Sequence, residues 1–457
     1  MTNPITQRLF GTDGVRGEAG RFPLDAETMK VFGASLATHL AELGQGSPLI
    51  VIGRDTRESG EWLEEALVSG ALSRGARIES AGVITTPGVA FLTRALNAQA
   101  GVVISASHNP YQDNGVKVFA PTGRKLDDDM ERLIEADIFA AQANAQSVNQ
   151  TDADALTKDH AGELRARYLD YLVAEIGTGL SLANQTIVVD TANGAASEFA
   201  PNLFSRLGAR VITINNEPDG RNINLNCGSL HIEALQKKVS TSAATLGVAF
   251  DGDADRALFI DARGEFVDGD ATLWVLANYL HARGELNKDL VVATVMSNIG
   301  LEIALRSSGI ELVRTDVGDK YVLEELLRSG ASLGGEQSGH IIFPAISLAG
   351  DGMITTLCLL RAMTHAGKPL QELLEGFQRF PQILVNVRVR EKRPFSEVPA
   401  IQALADETER TLGNKGRLLL RYSGTEALAR VMIEGESQTK IEQYANDLAS
   451  VIRSELA

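Results

Sequence analysis

The chain has 457 residues, too many for one ordinary hydrophobic core, and the usual domain size predicts three or four domains meeting around clefts. Hydrophobic residues make up 44% and charged residues 22%, with mean hydropathy near zero, which excludes a disordered or fibrous chain. A formal charge of -16 repels phosphate-rich surfaces, so nucleic acid and anionic membrane are not expected as partners, and any phosphorylated ligand has to be held by local cations.

Met1–Phe10 lacks a long apolar stretch, and no apolar run approaches the roughly 18 residues of a membrane span, so the expected location is the cytoplasm. In chain order, short β-branched runs at 48–53, 101–105, 186–190, 245–250, 290–295 and 311–314 predict strands. Amphipathic stretches at 59–74, 195–207, 230–243, 299–308 and 319–330 predict helices between them, a rhythm that favours mainly parallel sheets covered by helices. Ala141–Asp159 has no apolar periodicity and reads as a connector. The pattern changes again after 250–256 and near Phe380–Pro381, beyond which alternating runs and helices at 398–412 and 438–455 predict a small α+β domain. The expected domains are therefore 1–155, 156–256, 257–379 and 380–457. Cys227 and Cys358 lie far apart with no CxxC spacing, so both are expected as reduced core residues, with neither zinc nor a disulfide.

Several loops carry candidate chemistry. Gly11–Gly17 is glycine-rich and places Arg16 where it can face a cleft, although by itself it is a turn. Arg54–Arg57 reads as a helix-start network with no firm role. GVVISASHNP at 101–110 is an apolar strand running into a polar loop, a usual ligand position in α/β proteins. Ser107 there can carry a phosphoryl group if a cation stands nearby, but taken alone the run reads first as an ordinary turn. Asp251, Asp253 and Asp255 alternate after another apolar strand, so an extended loop turns all three carboxylates one way, a hard oxygen set suited to Mg²⁺ or Mn²⁺; the plainer reading is a solvated acidic turn. Gly334–His340 supplies glycines for close backbone approach with Glu336, Ser338 and His340 as groups for sugar hydroxyls and proton transfer, or else a glycine-rich turn. Arg421, Ser423, Gly424, Thr425 and Arg430 gather two guanidinium groups and two hydroxyls at a strand end, which can grip a phosphate dianion, the alternative being an exposed strand end with counter-charged Arg and Glu.

Taken in order from Phe10 to Gly435, FGTDGVRG, SASHNP, DGDADR, GGEQSGH and RYSGTE resemble the α-D-phosphohexomutase superfamily. Two further segments, Pro218–His231 and Asp316–Val322, look like the forms found in its phosphoglucosamine mutase branch. The resemblance implies a four-domain, heart-shaped α/β architecture around one cleft, three α/β domains with mixed sheets and a small C-terminal α+β domain. It implies that Ser107 carries the phosphoryl group, that Asp251, Asp253 and Asp255 hold Mg²⁺ with the phosphoserine oxygen, and that Glu336 and Ser338 grip sugar hydroxyls. His108 and Lys117 fall in the active-serine region, Arg421, Ser423, Gly424, Thr425 and Arg430 match the distal phosphate site, and His340, Lys117 and Arg16 are candidates for acid/base work or charge support. The implied reaction interconverts glucosamine 6-phosphate and glucosamine 1-phosphate through glucosamine 1,6-bisphosphate, in a homodimer that feeds amino-sugar synthesis for the cell envelope. Rival readings are the same chemistry on glucose or mannose phosphates, a metal-dependent sugar phosphatase, and a phosphosugar-binding sensor. The chain departs from the commonest pattern at Ala427, where a proline is frequent, which affects loop stiffness but no donor group.

Overall fold

The computed structural model describes residues 8–44, 46–144, 160–423 and 426–457. They fall into two compact units, Met1–Val295 with Val313–Leu374, and Met296–Leu312 with Glu375–Ala457.

The first sheet contains β1 (Phe10–Gly11), β2 (Gly14–Glu18), β3 (Leu49–Arg54), β4 (Arg77–Val83), β5 (Ala100–Ile104) and β6 (Asp113–Phe119), in the order β1-β2-β6-β5-β3-β4. The pairs β5/β3 and β3/β4 are parallel, whereas β1, β2, β6 and β5 join antiparallel, so the sheet is mixed. Helices α1 (Ala26–Gly44), α2 (Gly60–Leu72), α3 (Thr86–Ala95) and α4 (Asp128–Asn144) accompany it. Ile50, Ile52, Val102, Ile104 and Val116 are fully buried beside Phe32 and Leu67, each contributing about 1.5–3 kcal/mol of apolar burial. Close packing of α1 on α2 needs glycine on both sides: a Cβ on Gly33 would lie 1.9 Å from Leu67 O, and one on Gly70 1.9 Å from Lys30 O. The expected connector begins later than the sequence suggests, because the helix-favouring residues Ala141, Gln142 and Ala143 carry α4 on to Asn144. The remainder, 145–159, lies outside the described residues.

The second sheet holds β7 (Thr186–Asp190), β8 (Arg210–Ile214), β9 (Leu246–Phe250), β10 (Ala257–Asp261) and β11 (Phe266–Val267), in the order β11-β10-β9-β7-β8, with α5 (Ala161–Tyr171), α6 (Ala196–Arg206) and α7 (Glu233–Ser242). β9 pairs parallel to β7 and antiparallel to β10, so this sheet continues across Arg256 to Val267, past the change of pattern expected at 256.

The third segment runs through α8 (Gly269–Ala282), β12 (Leu290–Thr294), α9 (Ile299–Ser307), β13 (Glu311–Thr315), α10 (Asp319–Ser329), β14 (Leu333–Gly335), β15 (Ile341–Ile342), α11 (Gly352–Ala366) and the short α12 (Leu370–Leu373), with sheet order β13-β12-β14-β15. Of these, α9 belongs to the second unit. Asp351 caps α11 by accepting from Met353 N at 2.9 Å and Ile354 N at 3.0 Å, and it also accepts the Tyr168 hydroxyl at 2.7 Å. Burial pushes the Asp351 carboxyl up to about 6 from the ordinary 3.8. A raised carboxyl favours folding while it keeps its proton, and that contribution, on the order of 3 kcal/mol, is lost as pH rises from about 4 through 6. Asp351→Asn keeps a capping oxygen but cannot ionise, so its melting temperature is expected to gain on the parent between pH 4 and pH 7. A constant gap across that range would show that Asp351 does not titrate there.

The second unit packs α13 (Pro399–Leu412) and α14 (Gln438–Leu456) on an antiparallel sheet of β16 (Gln382–Arg388), β17 (Gly416–Tyr422) and β18 (Leu428–Gly435), in the order β16-β18-β17. Val431, Ile433, Ile401, Ala445 and Ile452 form its core. Buried Glu434 ties α9 into this unit, accepting from Ile299 N at 3.1 Å, Asn298 Nδ2 at 3.1 Å and Arg417 Nε at 3.0 Å. The three mixed sheets and the small C-terminal α+β part are as the resemblance implies, whereas the mainly parallel sheets expected from the rhythm of strands and helices are not found: β1/β2, β5/β6, β9/β10 and β10/β11 pair antiparallel, through short connections that leave no helix between them. Cys227 is buried and Cys358 half-buried, and both are free thiols. Among the described residues, no helix is long and apolar enough to cross a membrane.

Candidate active site

Two loops at strand ends meet in the first unit. The loop after β5 holds Ser107 in a left-handed backbone conformation, φ 53°, and the loop after β9 brings up Asp251, whose Oδ2 accepts from Ser107 Oγ at 2.5 Å. Neighbouring Ser105 is turned the other way: its hydroxyl donates to Asp55 at 2.6 Å and accepts from Ser107 N at 2.9 Å. Of the two serines, Ser107 is therefore the one that presents its oxygen to the acidic cluster.

Asp251, Asp253 and Asp255 are all buried, and each offers an oxygen within 4.8 Å of the others. Burial and the two neighbouring carboxylates hold Asp251 well above the usual carboxylate range. Asp253 Oδ2 accepts from Thr86 Oγ1 at 2.7 Å and Lys117 Nζ at 2.9 Å, while Oδ1 of Asp253 and Oδ1 of Asp255 are buried with no hydrogen-bond partner among the described residues. Buried acceptors left in this way fit a divalent cation.

Lys117, on β6, is almost fully buried, and its ammonium lies 3.1 Å from Asp13, 2.9 Å from Asp253 and 3.5 Å from Asp255. Burial opposes its charge, but these three carboxylates outweigh burial and raise it well above 10.5. Asp13 is held well below its ordinary value: burial raises it, but Lys117, Lys125 and Arg16 overcome that. Lys125 extends the network to Asp319, 2.7 Å away. Arg16 pairs with Asp13 and reaches Asn109 Oδ1 at 3.4 Å.

The two histidines differ in charge. His108 Nδ1 lies 3.3 Å from Ser107 Oγ and 3.1 Å from Arg256 Nη1, and burial, then Arg256 and Arg16, lower it to about 4, which leaves it neutral near pH 7. For His340, burial works against protonation, but Asp255, whose carboxylate is 3.6 Å from Nδ1, and Asp319 raise it to about 9. Glu336 Oε1 accepts from Gly318 N at 3.1 Å, and Ser338 Oγ donates to Glu336 Oε2 at 3.5 Å. A cavity of about 470 Å³ is lined by Arg16, His108, Asp255, Arg256, Glu336 and His340 among others, a size suited to a sugar phosphate. Asp13, Lys125, Arg256 and Asp319 were not singled out in the sequence. Asp13, Arg256 and Asp319 lie inside quoted motifs, whereas Lys125 carries no local signal.

In the second unit, Arg421 and Arg430 face each other directly across β17 and β18. Like charges so placed repel, and burial together with Arg430 lowers Arg421 from its ordinary value, so an anion between them would relieve the pair. Ser423 is buried at the strand end, where its N donates to Leu428 O at 2.8 Å. Gly424 and Thr425 lie outside the described residues.

Four models of the phosphoglucomutase/phosphomannomutase family match in order: alpha/beta/alpha domain I over 7–145, domain II over 166–264, domain III over 268–380 and the C-terminal domain over 384–451. The chain belongs to this family. A phosphoglucosamine mutase of Solibacter usitatus is 51% identical, covering 99% of this chain and 100% of the relative, and one of Koribacter versatilis is 47% identical, covering 99% and 98%. Within the family the chain falls with the phosphoglucosamine mutases. A phosphoglucomutase/phosphomannomutase family protein from Burkholderia thailandensis shares its fold at TM-score 0.77 and 23% identity, covering 98% of this chain and 97% of the other. An N-acetylphosphoglucosamine mutase of Aspergillus fumigatus does so at TM-score 0.63 and 18% identity, covering 100% and 97%.

Proposed function

We propose that this protein is a mutase that interconverts glucosamine 6-phosphate and glucosamine 1-phosphate through a phosphorylated Ser107. The observation that carries the reading is the 2.5 Å contact of Ser107 Oγ with Asp251 inside a buried carboxylate cluster, together with relatives that are named phosphoglucosamine mutases. Asp251, Asp253, Asp255 and the phosphoserine oxygen would hold Mg²⁺, whose charge would neutralise the transferring phosphoryl group.

In the forward direction the sugar 1-hydroxyl attacks the phosphorus of phospho-Ser107. The bond from phosphorus to Ser107 Oγ breaks, and the proton leaving the hydroxyl replaces the phosphoryl group on Oγ. The product is glucosamine 1,6-bisphosphate, which turns over and returns its 6-phosphoryl group to Ser107, releasing glucosamine 1-phosphate. His108, whose Nδ1 lies beside both Oγ and Arg256 Nη1, is assigned to orienting Oγ, and cationic His340, Lys117 and Arg16 are suited to supporting negative charge. Glu336 and Ser338 are assigned to the sugar hydroxyls, and Arg421, Ser423, Gly424, Thr425 and Arg430 to a substrate phosphate. The domain boundaries that suit this reading are 1–155, 156–267, 268–379 and 380–457, the second moved from 256 because β10 and β11 continue the sheet of β9. A cytoplasmic homodimer that supplies amino-sugar precursors of the cell envelope completes the proposal.

Mass spectrometry of freshly purified protein, with and without hexose 1,6-bisphosphate and Mg²⁺, is expected to find one phosphoryl group on the Ser107 peptide. Glucosamine 6-phosphate should turn over faster than glucose 6-phosphate. Absence of the phosphoryl mass would sink the carrier role, equal or faster turnover of the glucose compound would sink the amino-sugar preference, and release of inorganic phosphate without isomer would favour a phosphatase.

A further inference from the structure

Beneath the Ser107 loop lie two buried side chains from stretches to which the sequence assigns no chemistry. Arg57 is 1% exposed, and its Nη2 donates to Ser107 O at 3.0 Å and to Asn109 O at 2.8 Å. Its Nη1 donates to Asp113 O at 2.9 Å and also to Pro110 O, while Nε is anchored on Asp55 at 2.9 Å. Asp55 in turn accepts from Ser105, whose hydroxyl receives the Ser107 N–H. From the loop between β8 and α7, Asn224 Nδ2 donates to the same two carbonyls, Ser107 O at 2.9 Å and Asn109 O at 3.0 Å. Two side chains carried by different sheets thus converge on the carbonyls that flank His108.

The loop needs such a hold. A left-handed backbone costs a residue other than glycine roughly 1–2 kcal/mol, so Ser107 stays at φ 53° only while its neighbours fix it. Phosphorylation would then place a dianion beside Asp251, and repulsion would push the loop off the cluster. A planar guanidinium with all its hydrogen-bonding directions used on backbone oxygens and one carboxylate resists that displacement, which the single ammonium of lysine cannot do.

We propose that Arg57 and Asn224 are positioning residues that clamp the Ser107 loop from below, keeping Oγ aimed at the carboxylate cluster whether or not it is phosphorylated. The inference rests on Ser107 being the phosphoryl carrier. Neither side chain needs to touch substrate, so their loss should lower kcat and leave KM nearly unchanged.

The test uses the full chain with Arg57→Lys and Asn224→Ala, with melting temperatures taken first. A misplacement near 1 Å can cost about 100-fold in rate, and that is the loss in kcat expected for Arg57→Lys. Asn224→Ala, which leaves Arg57 in place, is expected to lose about tenfold, equivalent to roughly 1.4 kcal/mol. Phosphorylation of Ser107 by glucose 1,6-bisphosphate with Mg²⁺, followed by intact mass, should slow in parallel. If Arg57→Lys does not fold, Asn224→Ala decides alone. Folded variants with the parent's kcat, or with a raised KM and unchanged kcat, overturn the clamp. A parent that turns over substrate but never takes a phosphoryl group on Ser107 overturns the carrier reading, and the clamp with it.

Discussion

Ser107→Ala is expected to lose sugar-phosphate isomerisation by at least about four orders of magnitude, the scale on which deletion of a covalent catalyst is felt. The substitution removes one oxygen from a buried loop and little else. Its structural cost is the hydrogen bond to Asp251, about 1 kcal/mol, and alanine accepts the left-handed backbone no worse than serine. Melting temperature and binding of glucosamine 6-phosphate should therefore stay close to the parent while turnover disappears. Ser105 cannot take over, since its hydroxyl is committed to Asp55 and to the Ser107 N–H, away from the carboxylates. Retained turnover in Ser107→Ala, measured with 1,6-bisphosphate present, would mean that phosphoryl passes without this carrier.

How much could be read in the chain depended on whether the signal was local. Strands such as β3, β5 and β9 are continuous aliphatic runs, and α10, α13 and α14 have clear apolar faces, so both kinds stood out. Helices α8 and α11 escaped because they are buried almost all round: Gly269–Ala277 are all buried, leaving no polar face to give a period. The strands β10 and β11 are short antiparallel additions whose membership depends on β10 pairing with β9 and β11 with β10, which no local pattern shows. The same division holds for the site. Ser107 and the three aspartates sit at recognisable strand ends, but Lys125 becomes part of the site through Thr12, Asp13 and Asp319, residues far away in sequence. Arg57 looked like a helix-start residue because its partners, the carbonyls of Ser107 to Asp113, are about fifty positions away.

Lys117→Met should produce the largest loss of stability. It keeps a similar side-chain volume but takes from buried Asp253 its ammonium partner and from Asp13 and Asp255 one of several cations, and breaking a buried pair in this way costs about 3–5 kcal/mol because the Asp253 charge stays buried without its partner. In chelator, its melting temperature is expected to fall well below the parent's. Mg²⁺ should restore part of the loss, since a cation on the buried Oδ1 atoms of Asp253 and Asp255 supplies the missing charge, so the rise in melting temperature on adding Mg²⁺ should be larger in the variant. The pH dependence separates this account from a simple packing defect. In the parent, Asp13 and Asp255 are held below the ordinary carboxylate value, so their stabilising pairing is present at neutral pH and lost only in strong acid. Without Lys117 the same carboxyls take up protons more readily, and each proton relieves the repulsion. The gap between variant and parent should therefore narrow as pH falls from 8 to 5. A gap independent of both pH and Mg²⁺ would reduce Lys117 to a filler of space and leave the carboxylate cluster without its internal counter-charge.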